Sequence, residues 1–278
     1  MKTPRQTYPH YPVEPISTLA GMLTLSADKH ADRLALQDLN ATPIPRVTYR
    51  QLYDNVIAFG TALRILGLKE RDHVAFIAEN RVQWAITHLA CVTFNFVAVP
   101  IDKNLKENDI VNILHVSDSK AAVFSAPFRY MFLEFKQSVK HLHHLIDMDL
   151  PAKEDGIHSM TEMMKDTRVS GKQLPMPSTN PDDVAVIVFT SGSMGHAKGV
   201  TMTQTNLCTN LMDMRKMINI GPDDRFLSVL PMHHTCTREH ADFFVRCMVA
   251  LPCSMHAASN LSSTICKRQA RPYSSACL

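Results

Sequence analysis

The stretch Val188-Phe189-Thr190-Ser191-Gly192-Ser193-Met194-Gly195-His196-Ala197-Lys198-Gly199-Val200 decides how the rest of this chain is read. Residues 184–189 form a continuous apolar run, the pattern of a strand buried on both faces. Two glycines, three hydroxyls and a lysine come at once after it. Gly192 and Gly195 let the backbone turn sharply and bring N–H groups close to an anion. Thr190, Ser191 and Ser193 add short hydroxyl donors. Lys198 adds a point charge on a flexible stem, suited to a phosphate that changes position. A nucleotide-binding P-loop reads G-x-x-x-x-G-K-[ST] and opens a helix. Here Ala197 precedes Lys198 and Gly199 comes after it, and Val200 and Met202 sit in a strand-like run. The loop is expected to join two strands, which disfavours a P-loop kinase or GTPase.

Outward from this loop, three further segments carry information. Thr48 and Gln51 form a capping-box pattern ahead of Leu52, Val56, Phe59, Leu63 and Leu66 at helical spacing. Residues 90–102 end in Val-Ala-Val-Pro-Ile-Asp, and Leu230-Pro231-Met232-His233-His234 lies some three dozen residues beyond the loop. Taken in order with Val47-Thr48-Tyr49-Arg50-Gln51-Leu52, these segments resemble the adenylate-forming, or AMP-binding, superfamily of acyl-CoA synthetases, peptide adenylation domains and luciferases. That family's loop reads Thr-Ser-Gly-Thr-Thr-Gly-x-Pro-Lys-Gly-Val. The chain departs from it at Met194, where a hydroxyl is usual, and at Ala197, where proline is usual. The resemblance covers roughly the first 235 residues.

The alternation of helical and strand patterns supports an α/β fold. Strands are expected at residues 33–37, 73–78, 97–101, 121–125, 184–189 and 226–230. Helices are expected from Thr48 and at residues 82–94, 105–115, 128–139 and from Leu207. This rhythm implies right-handed crossovers and largely parallel sheets covered by helices. Residues 151–183 are broken by four prolines and two glycines and read as a surface connection with one helical turn near Met160. His141, His143 and His144 read as a solvated helix end. The resemblance implies an incomplete N-terminal AMP-binding domain over residues 1–235. Residues 236–278 read as an aberrant tail that has left its reading frame, and the C-terminal domain is expected to be absent. No acid occurs beyond Asp242, and five of the seven cysteines lie between Cys236 and Cys277.

Of the net charge of +3, residues 243–278 contribute +4 through Arg246, Lys267, Arg268 and Arg271, leaving −1 elsewhere. A nucleic-acid partner has no support from that balance. No apolar run is long enough to span a membrane, and the start lacks a signal-peptide core, so a cytoplasmic location is expected, with peripheral membrane contact left open. His233, His234, Cys236, His240, Cys247, Cys253 and His256 lack the close cysteine pairs of structural zinc sites, so no metal site is expected.

The resemblance implies a two-step reaction. A carboxylic acid, on the pattern of Leu-Pro-Met-His-His a fatty acid, attacks the α-phosphate of ATP, and the acyl-adenylate then passes to a thiol. ATP, Mg2+ and CoA are the implied cofactors and substrates. Thr190, Ser191, Gly192, Ser193, Gly195 and Lys198 match the positions that hold the ATP phosphates, and His234 matches one beside the acyl and adenylate pocket. No nucleophilic side chain is required, and no catalytic residue is assigned. The family's Tyr-Gly-x-x-Glu segment, ribose-binding aspartate, hinge and C-terminal lysine are not found, so the chain is expected to be an inactive fragment. The alternatives are a non-catalytic nucleotide-binding module and a decayed gene product.

Overall fold

Eleven strands and seven helices are placed among residues 10–190, 198–217, 226–228, 232 and 253–255, which are those the computed structural model describes. The chain enters through α1 (Leu19–His30), whose N-cap Thr18 accepts from the Gly21 N–H. A short antiparallel pair comes next, β1 (Leu34–Asp38) and β2 (Arg46–Thr48). The capping box forms as the sequence predicts. Thr48 Oγ1 accepts from Gln51 N at 3.2 Å and Gln51 Oε1 from Thr48 N at 2.9 Å, opening α2 (Tyr49–Ile65). Leu52, Val56, Phe59 and Leu63 are all buried along that helix.

Strand and helix then alternate: β3 (His73–Ile77), α3 (Val82–Thr93), β4 (Val97–Pro100), α4 (Glu107–Ser117), β5 (Ala121–Phe124), α5 (Arg129–Ser138) and β6 (His144–Asp147). After β7 (Ile157–Ser159) and α6 (Met160–Val169) come β8 (Val184–Thr190), β9 (Lys198–Thr203) and α7 (Gln204–Met217). The last described strands are β10 (Phe226–Ser228) and β11 (Cys253–Met255).

Seven strands form one sheet in the order β7-β6-β5-β3-β4-β8-β9, parallel except for β9. β3, β4, β5 and most of β8 are buried on both faces, which is why they read as continuous apolar runs. Val74, Phe76, Ala98, Val123 and Val186 face the core shared with α1, α2, α3 and α7. Ala75, Ile77, Val99, Ala122 and Phe124 face the core under α4 and α5. A second sheet, β10-β11-β1-β2, lies on the far side of the first core, where Leu36 and Val47 join it. Among the described residues no helix is long and apolar enough to cross a membrane.

Two sequence expectations are corrected. The 151–183 segment is no simple surface connection, because it contributes an edge strand and a ten-residue helix. Ile157, Ser159, Met160 and Thr167 are buried. Thr167 Oγ1 donates to the Ala58 carbonyl at 3.2 Å, and Leu174 N donates to Thr61 Oγ1 at 3.1 Å, tying the segment along α2. An edge helix needs few buried positions, so its charged remainder hides the periodicity. The histidine cluster is likewise no plain solvated helix end. His144 opens β6 half-buried, its ring 6.1 Å from that of His158, and burial first, then His158 and His143, lower its pKa. His141 Nε2 lies 2.9 Å from the Leu114 carbonyl, and only His143 of the three is exposed.

The packing of α2 against α3 sets one stability prediction. Glycine to alanine in a helix interior ordinarily adds about 1 kcal/mol. At Gly60 an added Cβ would stand 2.1 Å from Cδ2 of the buried Phe94. Gly60→Ala is therefore expected to lower stability by about 1–3 kcal/mol through overpacking, read as a lower urea midpoint. Pairing it with Phe94→Leu should recover part of the loss.

A buried histidine sets another. His88 on α3 is fully buried, stacked on Trp84 at 5.3 Å and edge-on to Phe76 at 5.8 Å. Burial holds its pKa down to about 3. The unfolded chain protonates His88 near its ordinary value of about 6.5, so stability is complete above that pH and falls by about 1.4 kcal/mol per unit as pH drops toward 3. His88→Phe should remove this one-proton component from the urea midpoint measured against pH.

Candidate functional site

The glycine- and serine-rich loop closes a hairpin. β8 and β9 pair antiparallel from Val184↔Thr203 to Thr190↔Lys198, so the last residue of one strand stands directly opposite the first of the other. The turn joins two strands, as expected, and does not open a helix. Directly paired residues sit with Cα atoms about 4.5–5.5 Å apart, which fixes the ends of the intervening seven residues close together. Thr190 and Lys198 are both exposed at this edge. Ser191, Gly192, Ser193 and Gly195 lie outside the described residues, as does His234.

The hairpin is held from below. Ala185, Val186 and Val188 are buried, while Ile187 and Phe189 pack on the opposite core. Gly199 is required by close approach, since a Cβ there would lie 2.9 Å from Ile187 Cγ2 and 3.2 Å from Phe189 Cζ. That contact gives a physical reason for glycine directly after the loop lysine. At the base, Arg71 Nη1 meets Asp183 Oδ1 at 2.8 Å. Gln204 N donates to the Asp183 carbonyl at 3.1 Å and Thr205 N to the Pro181 carbonyl at 2.8 Å. Thr203 and Asn206 exchange side-chain and backbone bonds of 3.0 and 3.2 Å across the first turn of α7.

Gln204 is a residue that sequence reasoning missed. It is 1 % exposed, its Oε1 accepts from Leu19 N at 3.0 Å, and its Nε2 donates to the Val92 carbonyl at 2.9 Å. One amide thus satisfies the first turn of α1 and the last turn of α3 while fixing the exit of the hairpin. Its partners lie 185 and 112 residues away in sequence, so no local pattern announces it.

The other C-terminal strand ends share this sheet edge. Beyond β3, Arg81 grips Asp149 with two bonds of 3.0 and 2.6 Å, and Asp149 Oδ2 also accepts from Ala126 N at 2.8 Å. Burial works to raise the Asp149 carboxyl, but Arg81 and the Ala126 N–H outweigh it and hold the pKa below the usual range. Arg129 Nε meets the fully buried Asp147 at 2.7 Å. Asn80, also missed by sequence reasoning, accepts from Met232 N at 3.1 Å, two residues before His234. Among the described residues no group of three or more His, Cys, Asp or Glu could hold a metal ion.

Compared with known proteins, residues 23–250 match the family described as AMP-binding enzyme. The chain belongs to that family. The matched segment reaches past residue 235. A chloroplastic long-chain-fatty-acid–[acyl-carrier-protein] ligase of Arabidopsis thaliana is 28% identical over 81% of this chain and 33% of its own length. Long-chain-fatty-acid–CoA ligase 5 of Rattus norvegicus is 31% identical over 70% of this chain and 31% of its own. The AMP-binding chain thus spans about a third of the length of these curated relatives. In structure it is similar to a long-chain-fatty-acid–CoA ligase from Archaeoglobus fulgidus, with a TM-score of 0.77 at 20% identity over 91% of this chain and 49% of that one. An anthranilate CoA ligase solved with anthranoyl-AMP gives 0.75 at 17% identity, over 90% and 46%. These likenesses establish a shared fold.

Gln204→Leu tests how the AMP-binding chain supports its hairpin. It strands the Leu19 N–H and the Val92 carbonyl in the core, and a loss of about 2–4 kcal/mol in urea unfolding is expected. A variant as stable as the parent would show that neither bond matters.

Proposed function

We propose that this chain carries the triphosphate-gripping part of an enzyme that activates a long-chain carboxylic acid as its acyl-adenylate and passes the acyl group to the thiol of CoA. The observation that carries the reading is the register of the hairpin, which sets Thr190 against Lys198 at the mouth of a Gly- and Ser-rich loop. Family membership and the names of the relatives support the same reaction class.

A carboxylate oxygen attacks the α-phosphorus, and the bond to the bridging oxygen breaks to release pyrophosphate. Negative charge shifts onto the leaving β- and γ-phosphates. In this reading the loop donors Thr190, Ser191 and Ser193, the backbone N–H groups at Gly192 and Gly195, and Lys198 meet that charge. Magnesium bound to the triphosphate would add charge compensation beside these donors. The thiol then attacks the acyl carbonyl, AMP leaves, and the thiol proton passes to solvent or phosphate. His234 is assigned to the wall of the acyl and adenylate pocket. No side-chain nucleophile takes part, so the protein contributes placement and charge compensation.

Pyrophosphate exchange into ATP, measured with Mg2+ and a panel of fatty and aryl acids, tests the proposal. Exchange that depends on a long-chain acid and falls by about 100- to 1,000-fold in Lys198→Ala supports the proposal and overturns the expectation of an inactive fragment. Exchange indifferent to Lys198 overturns the assignment, and ATP binding without exchange replaces it with a nucleotide-binding module.

A further inference from the structure

The seven-stranded sheet ends on β7, a three-residue strand whose sheet partner among the described residues is β6. Parallel pairing sets Ile146 opposite His158, so His144 and His158 share one face of the sheet as diagonal neighbours. Their rings stand 6.1 Å apart, and both residues are half-buried. The exposed His143 ring lies 6.3 Å from that of His144. The other charged groups that bear on the pair come from its neighbours: Lys136 from α5, Lys153 from the segment before β7, and Glu162 from α6. Lys120, whose carbonyl takes the His143 and His144 N–H groups, keeps its ammonium on Asp118 at 2.8 Å. Glu154 bears on Arg129 instead. Glu162 is the one acid beside the two rings, and its Oε2 is already taken by Lys153 N at 2.7 Å. These surroundings favour neutral imidazoles.

Burial is the largest cause lowering the pKa of His144, ahead of His158, His143 and Lys136. For His158 burial again comes first, then Lys153 and Lys136, with Glu162 opposing. Rings freed from the sheet edge take a proton near the ordinary value of about 6.5. The docked rings resist it, so docking is complete above that pH and weakens as pH falls below it. Two imidazolium rings held 6.1 Å apart would also repel each other.

The strand is coupled to the helix after it. Ser159 is the last residue of β7 and the N-cap of α6, where its Oγ accepts from Glu162 N at 3.1 Å. The same hydroxyl donates to the Leu150 carbonyl, beyond β6. Farther along α6, Thr167 is tied separately to the Ala58 carbonyl on α2. We propose that the His144–His158 pair is a pH-sensitive latch: its neutral rings let β7 dock on β6, and its protonation in mild acid frees β7 and the first turn of α6 as one unit. The latch sits at the sheet edge opposite the β8–β9 hairpin and does not depend on the acyl-activation reading.

Amide hydrogen exchange on the full chain at about pH 7.5 and about pH 5.5, corrected for the intrinsic rate at each pH, tests the latch. Protection of residues 157–162 should fall by about tenfold on acidification. In the double variant His144→Gln/His158→Gln, whose side chains stay polar and take no proton, the fall should be no more than about twofold. An equal fall in the variant assigns it to global destabilisation, to which His88 contributes, and overturns the proposal. So does a parent edge whose protection is indifferent to pH. If the double variant does not fold, NMR titration of the His144 and His158 rings in the parent decides. Ring protonation that runs parallel to the loss of edge protection supports the latch, and ring protonation that leaves the edge protected overturns it.

Discussion

The pairing of Thr190 with Lys198 is the constraint on which the site depends. Six backbone pairs run from the base of the β8–β9 hairpin to that point, and they leave the loop ends no freedom to separate. A glycine-rich loop on a slack tether would lose conformational entropy each time it closed on an anion. The hairpin fixes the separation of the two ends of that loop, which removes part of the closure cost. The strands are anchored in turn by burial, with Val186 and Val188 in one core and Ile187 and Phe189 against the other. Gly199 lets the two strands approach where a side chain would collide.

Around the hairpin, a few buried amides do what apolar packing cannot. Hydrophobic contact is non-directional and tolerates sliding between layers. Gln204 and Asn80 are directional, each joining backbone groups of segments that are far apart in sequence. Each would be costly if left half-satisfied, which makes the arrangement all-or-none. Gln204 fixes the start of α7 at the exit of the hairpin, and Asn80 ties the end of β3 to Met232.

This division also accounts for how far the fold is legible in the sequence. The helix that begins after Thr48 is legible because its capping box and its apolar face are both local. β3, β4, β5 and β8 are legible because strands buried on both faces are continuous apolar runs. The hairpin is legible because its first strand is an apolar run, broken at once by glycines and hydroxyl residues. Helix α6 is hidden by its charged face, with Met160 and Thr167 as its buried positions. β6 is masked by the histidines beside it. α1 carries a usable but unused signal in Thr18 ahead of Leu19, Met22, Leu23 and Ala27. Asn80 and Gln204 have no signal at all, because their significance lies in partners more than a hundred residues away.

The central claim is that a lysine-bearing hairpin grips the tail of a nucleoside triphosphate. The most direct measurement is amide hydrogen exchange of the full chain with and without a non-hydrolysable ATP analogue and Mg2+. The account predicts new protection concentrated in peptides spanning β8, the loop and β9, and little change at the opposite sheet edge where β5 and β6 begin. Protection confined to that opposite edge, or absent altogether at saturating analogue, would contradict it.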